Sequence, residues 1–294
     1  MRKVVPIIAL LSLAASSLPA QLLQEAKAAF PAKTTSLEYD ALSKLRKLPN
    51  YSNLRKQYSG EGLQRVQKDL SLLGISEAQL SEVVTAAGPN GFFGLIAGDF
   101  HGATVAKEAA RHGIPQTVLE DGPEYCSKEG TCLLLISKED GRGFFGTKDQ
   151  LQAISEVRQG RAPSLETNPT FADLESRMDR QSPVVGFAPG SEISEWIGSS
   201  IPPVISSHLG LNSLFSGIQN FGYSVKLDDK AHVGLNLICS SEQAGTLIKD
   251  ALSAASGLER AAAAAAGPSS LPFNNMAVQS SGRLVAVSLD APFQ

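Results

Sequence analysis

The sequence predicts an α+β fold in which antiparallel sheets pack against helices on one face. Two kinds of apolar spacing predict it: strict alternation over 231–239, typical of a strand, and helical spacing over 244–255. A third observation is that strand-like segments come in pairs separated by turn residues, with helices between the pairs. The length without a leader, about 270 residues, suits one large domain or two small ones.

The first twenty residues have the features of a secretory signal peptide. Arg2 and Lys3 precede an apolar run of about twelve residues, and the small residue Ala20 precedes Gln21. The run is shorter than the roughly 20 residues that a membrane span needs. We therefore predict cleavage after Ala20 and a periplasmic or secreted protein with no membrane span after cleavage. An uncleaved anchor and a cut after Ala28 are the alternatives.

Composition narrows the choice of partners. Removal of the first twenty residues leaves 24 Lys and Arg against 29 Asp and Glu, and no cluster of basic residues stands out. A nucleic-acid partner is disfavoured, because phosphate neutralisation needs clustered positive charge. The apolar fraction of 43% is that of a globular protein.

The composition along the chain predicts two domains behind the signal peptide. Residues 21–33 are predicted to be a mobile linker, and residues 34–188 an N-terminal α+β domain. A stretch rich in Gly, Pro and Ser, 189–206, is the predicted junction, and 207–294 the C-terminal α+β domain.

The elements of the N-terminal part follow from apolar patterning and turn residues. In chain order the pattern predicts a strand near 35–41, helices near 42–48 and 63–73, strands near 80–88 and 92–100 joined by an Asn-Gly turn, a helix near 103–112, strands near 115–121 and 131–138, a short strand near 144–147 followed by a helix, a helix near 171–180 and a strand near 183–188.

The C-terminal part has the clearest periodicity. The sequence predicts a helix over 208–222, a hairpin over 223–240 and a closing hairpin over 274–290. The helix between the two hairpins, over 244–266, is the cleanest amphipathic pattern in the chain. Its apolar stripe recurs every three or four residues: Ala244, Leu247, Ile248, Ala251, Leu252 and Ala255.

Three cysteines are present. Cys126 and Cys132 end and begin strand-like segments that a short loop joins, so a disulfide between them is expected in an oxidising compartment. Two unpaired thiols on neighbouring strands are the alternative, since spacing does not fix geometry. Cys239 ends the alternation of its strand and is predicted to be a buried, inert thiol.

The layout of the chain carries a resemblance. A signal peptide, the segment SLEYDALSKLRKLPNYSNLRKQ, a Gly-Asp-Phe-His segment and the closing block VKLDDKAHVGLNLICSSEQAGTLIKDAL occur in this order. Together they resemble exported bacterial proteins of unknown function built from ferredoxin-like (α/β-plait) units. The resemblance covers most of the chain behind the signal peptide. It implies two ferredoxin-like α/β sandwich domains and carries over no functional residues.

Residues that could carry chemistry are few. Asp99 and His101 would face the same way on a strand, so the acid could orient the imidazole. Their alternative role is to end the strand and start the next helix. Trp196, in the predicted junction, is either a plug between domains or an exposed binding anchor. No pair of His or Cys has the spacing of a zinc motif, and no phosphate or dinucleotide loop is complete, so neither metal nor cofactor is predicted.

These observations favour a binding or protein-interaction module of the cell envelope, with an unidentified protein or polymer as partner. The alternative is a hydrolase acting on envelope or extracellular polymers, with Asp99 and His101 as the first residues to test. A third hypothesis is a structural component that associates with itself through sheet edges.

Overall fold

The computed structural model describes residues 21–49, 51–52, 61–137, 141–193, 215–228, 230–266 and 275–292. In these ranges the strands, numbered in chain order, are β1 Ser36–Asp40, β2 Leu80–Gly88, β3 Gly91–Gly98, β4 Gln116–Leu119, β5 Gly122–Cys126, β6 Cys132–Ser137, β7 Arg142–Gly146, β8 Val184–Pro189, β9 Ile218–Leu227, β10 Lys230–Cys239, β11 Ala277–Ser281 and β12 Leu284–Pro292. The helices are α1 Gln21–Ala29, α2 Leu42–Leu45, α3 Glu61–Leu72, α4 Gly102–Arg111, α5 Lys148–Arg158, α6 Pro169–Arg177 and α7 Glu242–Ala266. Short 3-10 turns span Glu77–Gln79 and Leu165–Thr167.

All of these strands join one sheet, in the order β11-β12-β10-β9-β8-β1-β2-β3-β7-β6-β5-β4. Every neighbouring pair in it is antiparallel. The α+β class with antiparallel pairing is therefore confirmed. The arrangement of two ferredoxin-like domains is not confirmed, because β8 pairs with β9 across the predicted junction and the sheet is continuous there. Residues 194–206 of that junction lie outside the described ranges.

The sheet is covered on both faces in its β1–β7 part, except at the edge strand β4, whose residues are all exposed. Cluster 1 lies against α1, α5 and α6, and its buried side chains include Leu22, Phe30, Val84, Leu95, Leu134, Phe144, Leu151 and Phe171. Cluster 2 lies on the opposite face against α2, α3 and α4, and includes Leu42, Val66, Leu70, Val83, Ile96, Val105, Leu133 and Phe145. Adjacent residues of one strand thus enter different clusters. The expectation of helices on one face is wrong here. The physical reason lies in β3 and β6, whose continuous apolar runs are typical of strands that are buried on both faces.

The segment 21–33 is not the mobile linker that composition predicts. Residues 21–29 form α1, in which Leu22, Leu23 and Ala26 are at most 1% exposed. Phe30 follows the helix, is fully buried, and its ring lies 5.0 Å from that of Phe93. The reason is amphipathic spacing: apolar residues one, four and seven positions apart give the short helix a continuous buried stripe.

The β9–β12 part has its own cluster. Cluster 3 lies between α7 and one face of these strands, and its buried side chains are Ile193, Phe215, Ile218, Leu237, Cys239, Ile248, Met276, Val285 and Val287. The hairpins and α7 follow the predicted pattern. The helix predicted over 208–222 is corrected at its end, since Ile218–Gly222 belongs to β9. Residues 208–214 lie outside the described ranges.

Turn residues set the edge of the sheet. The predicted strand near 115–121 is a hairpin: β4 and β5 are joined by a turn at Glu120 and Asp121. Gly122 begins β5 with φ 140°, and a Cβ there would lie 2.0 Å from the carbonyl oxygen of Leu135. Only glycine allows this conformation and this approach. The hairpin therefore depends on Gly122.

Candidate functional site

The strand β4 is the most exposed strand of the described structure. Gln116, Thr117, Val118 and Leu119 are all exposed, with Val118 at 77% and Leu119 at 38%. Among the described residues the only other exposed large hydrophobic residue is Leu247. β4 pairs with β5 on one side, and no described strand pairs with its other side. The four residues of β4 therefore combine exposed apolar side chains with a backbone edge that no described strand pairs with.

Proline fixes which backbone groups of β4 face outward. Val118 lies opposite Pro123 in the antiparallel register. Opposite residues alternate between pairs that exchange both hydrogen bonds and pairs that exchange none. Pro123 has no N–H, so this pair is the second kind. The N–H and C=O of Val118, and by alternation those of Gln116, point to the outer edge.

The hairpin that carries β4 is held from the side of cluster 1. Asp121 accepts a hydrogen bond from the Ser155 hydroxyl, and its Oδ1 lies 2.9 Å from Nη1 of Arg158. The Arg158 guanidinium in turn lies 5.4 Å from the ring centroid of Phe144. α5 thus fixes the turn, and β4 is presented on a supported edge.

A disulfide joins the next two strands, as the sequence predicts. Cys126 and Cys132 lie directly opposite each other on β5 and β6, with their Sγ atoms 2.07 Å apart. In the described part of the chain, Glu124 and these two sulfurs form a group of potential metal ligands whose donor atoms lie within 4.8 Å of one another. Neither Glu124 nor β4 was singled out from the sequence. The turn residues Glu-Asp-Gly after an apolar segment were the available signal for the hairpin.

The structure brings Asp99 and His101 together, but in solvent. His101 Nε2 lies 3.9 Å from Asp99 Oδ1, and the two side chains are 68% and 93% exposed. His101 directly precedes α4. In the described ranges no hydroxyl or thiol is hydrogen-bonded to His101. The arrangement is that of a weak surface pair, and a catalytic role for these residues remains a prediction.

A cleft of about 250 Å³ opens between the α1–β1 connection and the start of α6. Its lining includes Lys33, Thr34, Asn168 and Phe187. Asn168 already bonds the N–H groups of Thr170 and Phe171 through its side-chain oxygen and the carbonyl of Ala32 through its amide. The Thr34 hydroxyl donates to the carbonyl of Pro31. These groups serve local structure, which makes the cleft a weaker site than the β4 edge.

Groups with shifted pKa values have structural roles. Burial, then the carboxylate of Glu82, raises the pKa of Tyr39, whose hydroxyl donates to Glu82 Oε1 at 2.6 Å. Burial and the carboxylate of Glu38 likewise raise the pKa of Tyr223, which donates to Glu38. Burial raises the pKa of the Cys239 thiol. The residue is fully buried, as predicted, and its inertness stays a prediction.

Two predicted features fall at or beyond the limits of the described structure. Trp196 lies outside the described residues, so its role as plug or anchor remains a prediction. Ala20 also lies outside them, whereas Gln21 is the first residue of α1. No helix in the described ranges is long and apolar enough to cross a membrane.

Comparison with known proteins gives a fold likeness. No protein-family model matches the chain, and no curated protein matches it. Among solved structures, crystal form I of TP0453 aligns with a TM-score of 0.52 at 12% identity, covering 92% of each chain. Crystal form III gives 0.51 at 12% identity, covering 91% of this chain and 92% of that one. Crystal form IV gives 0.50 at 11% identity, covering 90% of this chain and 91% of that one. At this identity the likeness is one of fold.

Proposed function

We propose that the chain is an exported binding module of the cell envelope that holds an extended segment of a protein partner along β4. The observation that carries the proposal is the exposed edge itself, where Val118 is 77% exposed beside an outward-facing N–H and C=O. An added strand would pair with those backbone groups and cover the valine. This mode of recognition takes affinity from main-chain hydrogen bonds and specificity from side chains.

The two ends of the sheet differ in a way that favours β4. Proteins protect open edges with charges, short strands or a covering segment, because an open apolar edge pairs with other chains. The other terminal strand, β11, is exposed through Gln279, Ser280 and Ser281 and has its one branched apolar residue, Val278, half-buried. Neither β4 nor β11 contains a charged residue, so the difference lies in the apolar side chains: Val118 and Leu119 are exposed, whereas Val278 is half-buried. An apolar edge without charges is suited to a partner rather than to solvent alone.

Export is supported by the N-terminal core. Cleavage after Ala20 would leave α1 whole, whereas the alternative cut after Ala28 would remove Leu22, Leu23 and Ala26 from cluster 1. The Cys126–Cys132 bond is compatible with an oxidising compartment.

A crosslinking capture of the tagged protein from its own envelope tests the proposal. Val118→Pro removes the outward N–H without removing a bond to β5, and proline is tolerated on edge strands. Val118→Lys adds a charge to the same edge. We expect both variants to lose the captured protein while their melting temperatures stay within a few degrees of the wild type.

Leu247→Lys is the matched control, because Leu247 is 53% exposed on α7, away from the edge. It should capture the partner as the wild type does. Capture by both Val118 variants at wild-type yield would overturn the proposal. Sedimentation of the purified protein separates the partner classes: a dimer that Val118→Pro converts to monomer would identify the partner as a second copy of this chain.

A further inference from the structure

Glu124 is a largely buried acidic residue near the edge of the sheet. It is 3% exposed, and within the described part of the chain its carboxylate makes no hydrogen bond or ion pair. Among the described residues, the fully buried side-chain oxygens without a hydrogen-bond partner belong to Asp69, Ser127 and Ser256, so the Glu124 carboxylate keeps contact with water. A cation from solvent can therefore reach it.

Glu124 lies beside the disulfide. Glu124 and Cys126 are two residues apart on β5 and face the same side of the sheet, and Cys132 lies directly opposite Cys126. This is the side of cluster 1, to which Cys132 belongs and against which Cys126 packs. The carboxylate oxygen and both sulfurs are mutually within 4.8 Å. Three donor atoms therefore converge on one point near the edge of the sheet.

The donor set matches a particular metal class. Two thiolates and one carboxylate are ligands that Zn²⁺ accepts, at about 2.3 Å for sulfur and about 2.0–2.2 Å for oxygen. Three protein ligands leave a fourth tetrahedral position for water. While the sulfurs are bonded to each other they cannot act as thiolates. Only the reduced pair can bind. The two thiolates would then balance the charge of the Zn²⁺, and the Glu124 carboxylate would be its third protein ligand.

We propose that this hairpin is a redox-gated zinc site, in which Glu124, Cys126 and Cys132 bind Zn²⁺ after reduction of the disulfide. A dithiol reductant attacks the half-buried Cys126 sulfur, the Cys126–Cys132 bond breaks, and the reductant leaves as its cyclic disulfide. The two electrons of the reductant, with its two protons, give two protein thiols. Zn²⁺ then replaces those two protons, which pass to solvent. A small-molecule disulfide reverses the sequence: its S–S bond accepts the two electrons and, with two protons from solvent, gives two thiols, while the Cys126–Cys132 bond re-forms and Zn²⁺ is released.

Cobalt spectroscopy on the purified full chain tests this proposal. The protein is reduced with a dithiol, the reductant is removed without oxygen, and Co²⁺ is added. We expect one Co²⁺ per chain with thiolate-to-cobalt charge-transfer and tetrahedral visible bands, both abolished by one equivalent of Zn²⁺. The oxidised protein should show neither band. Glu124→Gln should weaken binding by at least about tenfold, the scale at which even supporting groups act.

Two controls keep the result interpretable. Cys239→Ser removes the remaining cysteine, which is buried in cluster 3, and should leave the spectrum unchanged. Cys126→Ser with Cys132→Ser should abolish it while far-ultraviolet circular dichroism shows the fold intact. Equal binding by wild type and this double variant would overturn the site. Unchanged affinity of Glu124→Gln would equally overturn it, because the carboxylate would then not be a ligand.

Discussion

The two parts of the sheet are built differently although one continuous ladder joins them. In the β1–β7 part, consecutive residues are buried, for example Phe93–Ala97 in β3 and Cys132–Leu135 in β6, because helices cover both faces. In β12, by contrast, Val285 and Val287 are buried, whereas Ser288, which points to the opposite face of the strand, is exposed. Sheet pairing alone does not determine burial. Burial is determined by the helices that cover the sheet, and these bury only one face of the outer C-terminal strands.

The strands at which the sheet loses the cover on its second face can be located. Beneath β9, α6 still covers the face of cluster 1, since a Cβ on Gly222 would lie 3.0 Å from Met178 Sδ and 3.3 Å from Leu174 Cβ. At β10, Ile238 still packs against cluster 1. Further out, on β12, that face carries Ser288 and Asp290. The coverage therefore fades strand by strand and does not end at a domain boundary.

A matched pair of substitutions gives the largest test of this difference. Leu95 on β3 is fully buried in cluster 1, and Leu237 on β10 is 1% exposed in cluster 3. Leu95→Ala should lower the free energy of unfolding by about 4–5 kcal/mol and Leu237→Ala by about 2–3 kcal/mol, the two ends of the range for this change. Among the described residues cluster 3 is smaller than cluster 1, so the surroundings of Leu237 should relax more easily into the cavity. Urea unfolding of both variants measures the difference.

The comparison fails if the two losses are equal or reversed. A change in the denaturant slope of either variant would also matter, because it would show that the C-terminal strands unfold separately from the rest. Val287→Ala, in the same cluster 3 as Leu237, serves as a smaller check on this region.

A buried ion pair is the second difference between the regions. Lys27 of α1 and Glu175 of α6 meet at 2.7 Å with side chains 9% and 8% exposed, over the doubly covered part of the sheet. Lys27→Ala should destabilise the protein by about 3 kcal/mol, because it leaves a buried carboxylate behind. The double variant Lys27→Met with Glu175→Leu should recover most of that loss, since apolar packing replaces both charges.

Thermal or urea unfolding of the two variants decides the point. If the double variant were no more stable than Lys27→Ala, the pair would contribute through its own attraction and not through the penalty of leaving one charge unpaired. The weaker contact of Arg180 with Glu175, at 3.7 Å, is retained in Lys27→Ala. It therefore limits the loss of stability that this substitution causes.

The sequence predicts what depends on local spacing. Alternation and turn residues predict the β2–β3 and β9–β10 hairpins, the disulfide pair and α7, since each lies within a short stretch of chain. Local spacing does not predict the single sheet, because β1 pairs with β8, about 150 residues later, and no local pattern encodes that pairing. α1 was missed because a short helix following a leader-like segment has the composition of a linker.

The candidate site shows the same limit. Val118 belongs to an apolar segment in the sequence, and apolar segments are expected to be buried. Its exposure follows from the last place of β4 in the strand order, which is a property of the whole sheet. Glu124 is likewise one acid among 29 Asp and Glu until the register places it beside both cysteines. The geometry that makes these residues functional candidates is tertiary.

The smallest expected effect belongs to the open face of the C-terminal strands. Asp290 on β12 accepts hydrogen bonds from Lys230 Nζ at 2.5 Å and from His232 Nδ1 at 2.6 Å, and His232 Nε2 lies 3.0 Å from Asp228 Oδ1. Lys230, then His232, lowers the pKa of Asp290. A lowered folded-state pKa means that Asp290 stabilises the fold above its unfolded value of about 3.9, and that this contribution is lost as pH falls through the folded-state value.

Asp290→Asn should therefore lower the melting temperature slightly at neutral pH, and the gap to the wild type should close as the pH falls below about 4. Salt should narrow the gap at neutral pH as well, because these side chains are within reach of solvent and are screened. Melting curves across pH at two salt concentrations measure both trends. A gap that widens on acidification, or that salt leaves unchanged, would mean that this network is shielded from water and that the C-terminal strands have a second covered face after all.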